Sequence, residues 1–435
     1  MSTLALARPV PARSNRVRDL IFVAVSFVVF AALLQVWHFG ARRLLGTTEL
    51  AELVVAILFP IAALPMYTRL ALGIGPTLVQ TLALAALVQA IPARVPLLGL
   101  QVLVGGLVGA SLVGDPRGRG SVVTAGTAAG LASAAVFLLL TGNTLPTPYL
   151  VAGATSAVVG GALAGGLLLA LSPVVERMFG HVTPLTLIEA LSYDHPLLRR
   201  LITQAPGTFL HSTNLAILSD VAARRIGANA LVARVGALYH DVGKTIAPEN
   251  FIENQRGETR EDRRSIEEIA RSLVQHVSDG AALIRSHGLG DTVAQFALEH
   301  HGTSPMRSLL VRLDSRSQQN TRMLQYPGPR PRSKETGIVM IGDQLEAKAR
   351  VFLPQTRDEC VALVRDTITR VSADQQLVYA GLTAEDFQKM EAAFADVLHA
   401  IHHRRTGYGL SDDVTPSALA MQAAAHAPPL QTTDA

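Results

Sequence analysis

Leu238-Tyr239-His240-Asp241-Val242-Gly243-Lys244 places a neutral nitrogen ligand directly beside an anionic oxygen ligand. A carboxylate has two oxygens and can bridge two cations, so adjacent His and Asp can begin a paired-metal site. Leu231, Val235 and Leu238 recur at helical spacing, which predicts a helix from about 228 to 241 that buries one apolar face and delivers the pair at its C-terminal end. Gly243 is expected to stop that helix in the left-handed conformation. Lys244 is then expected to stand beside the site as a free cation. Alone, such a pair is more often a surface pair than a metal site, so the rest of the chain has to supply partners.

Those partners are present but dispersed. His211, His276, His300-His301 and Asp343 flank the pair at spacings too long for one helix, so only a helical bundle aiming several helices at one centre could assemble them. Five imidazoles and two carboxylates suffice for two divalent ions if Asp241 is shared. With no thiolate in the set, iron or manganese is favoured over structural zinc. The plainer readings are specific. His300 continues the face of Val293, Phe296 and Ala297 and could be a buried histidine bonded to backbone, and His211 could merely begin a helix. Asp343 lies in the apolar run 337–345, where a buried carboxylate is costly without a cation. His195, His287, His399, His402 and His403 are left out as single or solvated histidines.

Composition divides the chain in two. Over 435 residues the mean hydropathy is +0.31, high for a soluble protein. The first 180 residues are mostly Leu, Val, Ala and Gly, while every Lys and nearly all Asp and Glu come later. Six membrane spans are predicted, near residues 20–40, 50–67, 70–91, 95–113, 122–140 and 149–171. The first is too long for a signal peptide and lacks a small-residue cleavage pattern. Arg8, Arg13, Arg16, Arg18, Arg69, Arg117, Arg119 and Arg177 fall on one side of these spans and Arg42, Arg43 and Arg94 on the other. That asymmetry places the N-terminus and the C-terminal region in the cytoplasm. It also explains the net charge of +4 without a nucleic-acid polymer as partner. The spans are read as free of Asp, Glu and Lys, which disfavours a transporter. Gly160-Gly161 and Gly165-Gly166 are read as close helix-packing positions. The single Cys360 excludes an internal disulfide.

Several blocks in order resemble the membrane-anchored HD-domain phosphodiesterases of the PgpH type. They are Pro206-Gly207-Thr208 with His211, Ala233 to Lys244, Phe251-Ile252-Glu253-Asn254-Gln255, His276-Val277 with Asp279-Gly280, Glu299 to Thr303, and Tyr326-Pro327-Gly328-Pro329 followed by Lys334-Glu335-Thr336. The resemblance implies a cytoplasmic all-helical domain that hydrolyses cyclic di-AMP to linear pApA at a two-metal centre. By that resemblance His211, His240, Asp241 and Asp343 would hold one ion, and Asp241, His276, His300 and His301 the other. Asp241 and Lys244 would carry the catalysis, with Lys244 also a candidate phosphate contact, and Tyr326, Pro327, Gly328 and Pro329 would wall the substrate cleft. Arg332 stands where glutamine is expected. The longer relatives carry a large extracytoplasmic domain after their first span, and no such insert is read here.

The resulting expectation is an all-α protein. A basic N-terminus (1–19) leads into a polytopic transmembrane region (20–172), a helical connector (173–205), an HD phosphohydrolase domain (206–405) and a tail read as disordered (406–435). The partners are a cyclic dinucleotide, the lipid bilayer of the cell membrane and two divalent ions, with a homo-oligomer left open. Two rival readings are kept. A phosphodiesterase of the HD-GYP kind, specific for cyclic di-GMP, would need a Gly-Tyr-Pro signature after His300-His301, which is absent. A non-catalytic nucleotide receptor would be marked by lost ligands, and all seven are present.

Overall fold

Pro60 supplies no backbone donor and holds the preceding Phe59 in an extended conformation, so the second apolar segment is two half-helices rather than one rod. In the computed structural model, which describes residues 16–45, 48–90, 97–255, 265–311 and 324–402, the membrane region runs α1 (Arg16–Leu45), α2 (Glu49–Leu58), α3 (Ala63–Leu72), α4 (Ile74–Ala90), α5 (Leu98–Val113), α6 (Arg119–Thr141) and α7 (Thr147–Phe179). By length and composition four stretches can cross a membrane: 17–44, 49–72, 119–141 and 147–179. α4 and α5 are shorter apolar helices. The break between the second and third segments comes at Gly73, with φ of 84°, and not at the expected Thr68-Arg69. One acid does fall within the second predicted span: Glu52, in the first turn of α2, accepts from Arg42 at 2.8 Å. Arg8, Arg13, Arg94, His403 and the 406–435 tail lie outside the described residues.

Glycine sets the packing of the last two membrane helices. A Cβ on Gly126 of α6 would stand 2.5 Å from the Gly161 carbonyl of α7, and one on Gly165 would stand 2.8 Å from the Val122 carbonyl. Only residues without side chains let the two backbones approach so closely. Gly160 similarly faces the Leu58 carbonyl, whereas Gly166 has nothing near it. α7 also runs past the expected end of the membrane region at residue 172, carrying Pro173 within it.

Beyond Gly180 the chain turns through α8 (Pro184–Ala190), capped by the Thr183 hydroxyl, and α9 (Pro196–Gln204) into a helical domain. This comprises α10 (Pro206–Arg225), α11 (Ala230–Tyr239), short 3-10 turns over 242–254, α12 (Ile266–Ser286), α13 (Gly290–Glu299), α14 (Arg307–Leu310), α15 (Lys334–Phe352), α16 (Arg357–Ala373) and α17 (Ala384–His402). There is no extended strand among the described residues. A capping box at Thr383 and Asp386 opens α17: each backbone N–H donates to the other's side chain, at 2.9 and 3.1 Å. Two large apolar clusters fill most of the domain, beside a smaller one at Ala270, Met306, Leu309 and Leu324. One gathers Leu197, Leu201, Val235, Tyr239, Val293 and Phe296, the other Leu218, Ile338, Ile341, Val364 and Phe394. α8 belongs to both halves of the chain, since Leu187 and Ala190 sit in the first of these clusters while Leu185 packs with Phe22, Met66 and Leu168 of the membrane helices.

Candidate metal centre

Five helices present their ends or faces to one point. α11 ends at Tyr239 and hands over His240 and Asp241, α13 ends at Glu299 and hands over His300 and His301, and α10, α12 and α15 contribute His211, His276 and Asp343 from within. Tyr239 fixes the first handover by donating its hydroxyl to the Ala190 carbonyl at 2.6 Å. All seven expected ligand residues converge. His240, Asp241, His276 and His300 are essentially removed from solvent.

Asp241 is the hub. Its Oδ1 lies 3.3 Å from His276 Nε2 and 3.4 Å from His300 Nε2, and its Oδ2 lies 3.1 Å from His240 Nε2. Asp343 Oδ1 stands 3.0 Å from His211 Nε2 and 3.8 Å from His240 Nε2, and its Oδ2 stands 4.0 Å from His301 Nδ1. Two sets of ligand atoms, each mutually within 4.8 Å, result: His211, His240 and Asp241 on one side, and His276, His300 and His301 on the other.

The hydrogen bonds behind these rings decide their tautomers. His240 Nδ1 faces the Ala237 carbonyl at 2.7 Å, His300 Nδ1 faces the carbonyls of Ala297 and Phe296 at 2.9 and 3.1 Å, and His276 Nδ1 faces the Leu273 carbonyl. A nitrogen opposite a carbonyl carries the proton, so in each neutral ring Nε2 presents a lone pair to the centre. The plainer reading of His300 thus holds for one nitrogen and frees the other. His276 Nε2 and His300 Nε2 then face each other at 3.3 Å, with the Asp241 oxygen beside them and without a hydrogen-bond donor. Three converging acceptors repel one another unless a cation lies among them, and the residues therefore fit a divalent metal.

Electrostatics divides the centre. Burial, reinforced by the neighbouring imidazoles, holds His301 well below its ordinary value, and burial likewise lowers His276. Burial thus favours the neutral, lone-pair-bearing form of both rings. His211 differs: burial alone would lower it, but its hydrogen bonds to the carboxylates of Asp343 and Glu346 raise it to about 10. Burial opposes ionisation of Asp241, yet His240 and Lys244 hold it well below the usual carboxylate range.

Two expectations from the sequence need correction. Gly243 does not end α11 in a left-handed conformation. It lies in the 3-10 turn Val242–Ile246, where a Cβ would overlap the His276 carbonyl and stand 2.6 Å from the Gly280 amide. Close approach of α12, not backbone freedom, requires glycine there. Lys244 is not a free cation: its Nζ lies 2.7 Å from Asp241 Oδ2 and 2.8 Å from Glu253 Oε1.

Sequence reasoning assigned no role to Glu253 or Glu346. Glu346 lies one turn after Asp343 on α15, and its Oε2 pairs with His211 Nδ1 while Oε1 accepts from Asn214 at 3.1 Å and Arg350 at 2.7 Å. The Asp343-x-x-Glu346 spacing on one helix face was the available signal. Glu253 and Asn254 also hold Thr208 at 3.1 and 3.2 Å, against a glycine at 207 whose Cβ would overlap the Glu253 carbonyl. Of the expected cleft residues, Tyr326 stacks on His301 with ring centres 4.0 Å apart, and Gly328 packs toward Thr303. Pro327 is exposed, and Pro329 lines a separate cavity together with Arg332.

Comparison with known proteins agrees with this architecture. Residues 208–348 match the HD domain, and residues 3–183 match the family described as 7TM receptor with intracellular HD hydrolase. The cyclic-di-AMP phosphodiesterase PgpH of Bacillus subtilis is 32% identical over 316 residues, covering 72% of this chain and 44% of that protein. PgpH of Listeria monocytogenes is 28% identical over 361 residues, covering 81% and 50%. The chain spans about half the length of these curated relatives. A crystal structure of the L. monocytogenes PgpH HD domain is 31% identical and is covered in full by 48% of this chain, with a TM-score of 0.46. The chain belongs to the family that joins a 7TM-type membrane region to an HD hydrolase domain.

Proposed function

We propose that this chain is a membrane-bound phosphodiesterase that hydrolyses cyclic di-AMP to pApA at a dinuclear metal centre. The observation that carries the reading is the convergence of His276 Nε2, His300 Nε2 and Asp241 Oδ1 at 3.3–3.4 Å with no proton to share. The activity named for the PgpH relatives supplies the substrate class. Asp241 bridges the two ligand sets, with His211, His240 and Asp343 on one side and His276, His300 and His301 on the other. Two divalent ions, manganese or iron by the imidazole and carboxylate donors, would lower the pKa of water and draw charge from the phosphoryl oxygens when bound.

The protein's own groups do the rest. Lys244 acts as a positioning residue in this reading, clamping Asp241 against Glu253 so that the carboxylate keeps one oxygen toward each set. Backbone carbonyls of Ala237, Leu273 and Ala297 fix the ring orientations. Tyr326, stacked on His301, forms the cleft wall, and Gly328 and Pro329 shape the loop behind it. Arg18 lines a cavity with residues of the HD domain, and Arg119 bonds Glu189 of α8 at 2.6 Å. The basic helix ends therefore lie on the same side as the hydrolase, supporting a multi-pass topology with that domain in the cytoplasm.

The full chain in detergent with manganese is expected to convert cyclic di-AMP to pApA faster than it cleaves cyclic di-GMP or pApA itself. Equal turnover of the two cyclic dinucleotides would remove the adenine assignment. Absence of turnover despite bound metal would favour a non-catalytic receptor.

A further inference from the structure

Two cavities lie near the junction of the membrane helices and the HD domain. The first, about 210 Å³, is polar and is lined by Arg18 of α1, Gly180, Arg285 and Asp291, and by Glu299, Pro329 and Arg332. Its lining includes three arginines and two acids, and both carboxylates already accept hydrogen bonds. Asp291 takes Arg285 Nε at 2.7 Å and Glu299 takes the Arg332 backbone N–H at 2.9 Å. The cavity is net positive. The second, about 300 Å³, is almost wholly apolar and runs between α1, α3 and α7, with Phe22, Val25, Val29 and Leu33 along one wall and Leu171 and Phe179 along the other.

Residues lining the two spaces are near neighbours on both helices. Arg18 and Phe22 stand one turn apart on one face of α1, and Phe179 precedes Gly180, whose φ of +61° ends α7 and over which the Arg18 guanidinium lies, 3.0 Å from where a Cβ would be. A cationic chamber at the end of a membrane helix, one helical turn from a greasy groove along that helix, is complementary to an anionic head carrying an acyl chain. We infer that this junction is a binding site for one anionic phospholipid, its phosphate among Arg18, Arg285 and Arg332 and one acyl chain against Phe22, Val25 and Val29. Since Glu299 and Pro329 form part of the head chamber, the lipid ties the first membrane helix to α13, the helix that delivers His300 and His301.

The test is lipid retention, not turnover. Full-length protein extracted in mild detergent is incubated with phosphatidylglycerol or phosphatidylcholine of identical acyl chains and examined by native mass spectrometry. One phosphatidylglycerol should be retained per chain, with phosphatidylcholine weaker by at least about tenfold. Arg18→Gln with Arg332→Gln should lower retention of the anionic lipid by a similar factor, and Val29→Trp, which fills the groove, should lower it too. Arg332→Gln alone, on an exposed side chain, is read if the double variant is not recovered folded. Equal retention of the two lipids, or retention indifferent to the arginine variants, overturns the site. Glycerol 1-phosphate competing as well as the lipid, with Val29→Trp without effect, would make a soluble phosphate the ligand and sink the lipid assignment.

Discussion

The two ligand sets around Asp241 differ in what stands behind their imidazoles. On one side His211 is gripped by carboxylates at both ring nitrogens, Asp343 at Nε2 and Glu346 at Nδ1, and it holds a proton. On the other, His276 and His300 lean on backbone carbonyls, His301 lies beneath Tyr326, and burial strips protons from His276 and His301. The lesson is that a carboxylate behind an imidazole makes an anionic, proton-storing half-site. A peptide carbonyl makes a neutral half-site already set for metal. The halves should therefore differ in how they load.

Asp241→Asn should break the comparison outright, because it removes the charge both halves share. Turnover is expected to fall on the order of a thousandfold or more, and metal content measured by plasma emission should drop for both ions. Loss of only one ion would show that Asp241 is terminal to one half and not a bridge. Glu346→Gln should sharpen it: one metal weakens about 10- to 100-fold while the other is retained, as titration with manganese would show in two separated steps. Gly243→Ala acts on the other half by pushing α12 away from the His-Asp pair. It should cost about 1–3 kcal/mol of stability and loosen the ion held by His276 first.

The smallest effect is in protons. His211 is raised to about 10 in the metal-free fold, so filling its half near pH 7 must expel close to one proton, and filling the histidine half should expel almost none. Calorimetry in buffers of different ionisation enthalpy separates the two. The sign for stability follows from the same shift. The folded value lies above the unfolded value of 6.5, so the contribution of His211 to the metal-free protein is complete below that pH and is lost as pH rises through about 10. Metal-free protein that gained stability between pH 7 and 10 would contradict the assignment.

Much of the centre was legible because its chemistry is unusual: Asp343 in an apolar run asks for a cation whatever the fold, and paired histidines at a helix end are conspicuous. Gly243 was misread because the sequence around it reports only local conformation, and the constraint comes from the backbone of α12, 33 residues later at His276. Lys244 was misread for a related reason, since Glu253 reaches it through a loop without periodicity. In the membrane region the apolar lengths gave the helical segments, of which four stretches are long enough to cross, and Pro60 breaks the second segment in two. The glycines of α6 and α7 were legible as small, but which of them touch was not, because Gly165 and Gly166 look identical in one dimension.

α8 has only seven residues, about 10 Å of helix, yet Leu185 is rooted among membrane side chains while Leu187 and Ala190 are rooted in the hydrolase. Such a short rigid pin has no slack to bend. A tilt of α7 must either carry Tyr239, whose hydroxyl is fastened to Ala190, along with it or tear a void beside one of its two anchorages. The residue that immediately precedes the His240-Asp241 pair is thereby fastened, through one short helix, to side chains of the apolar helices.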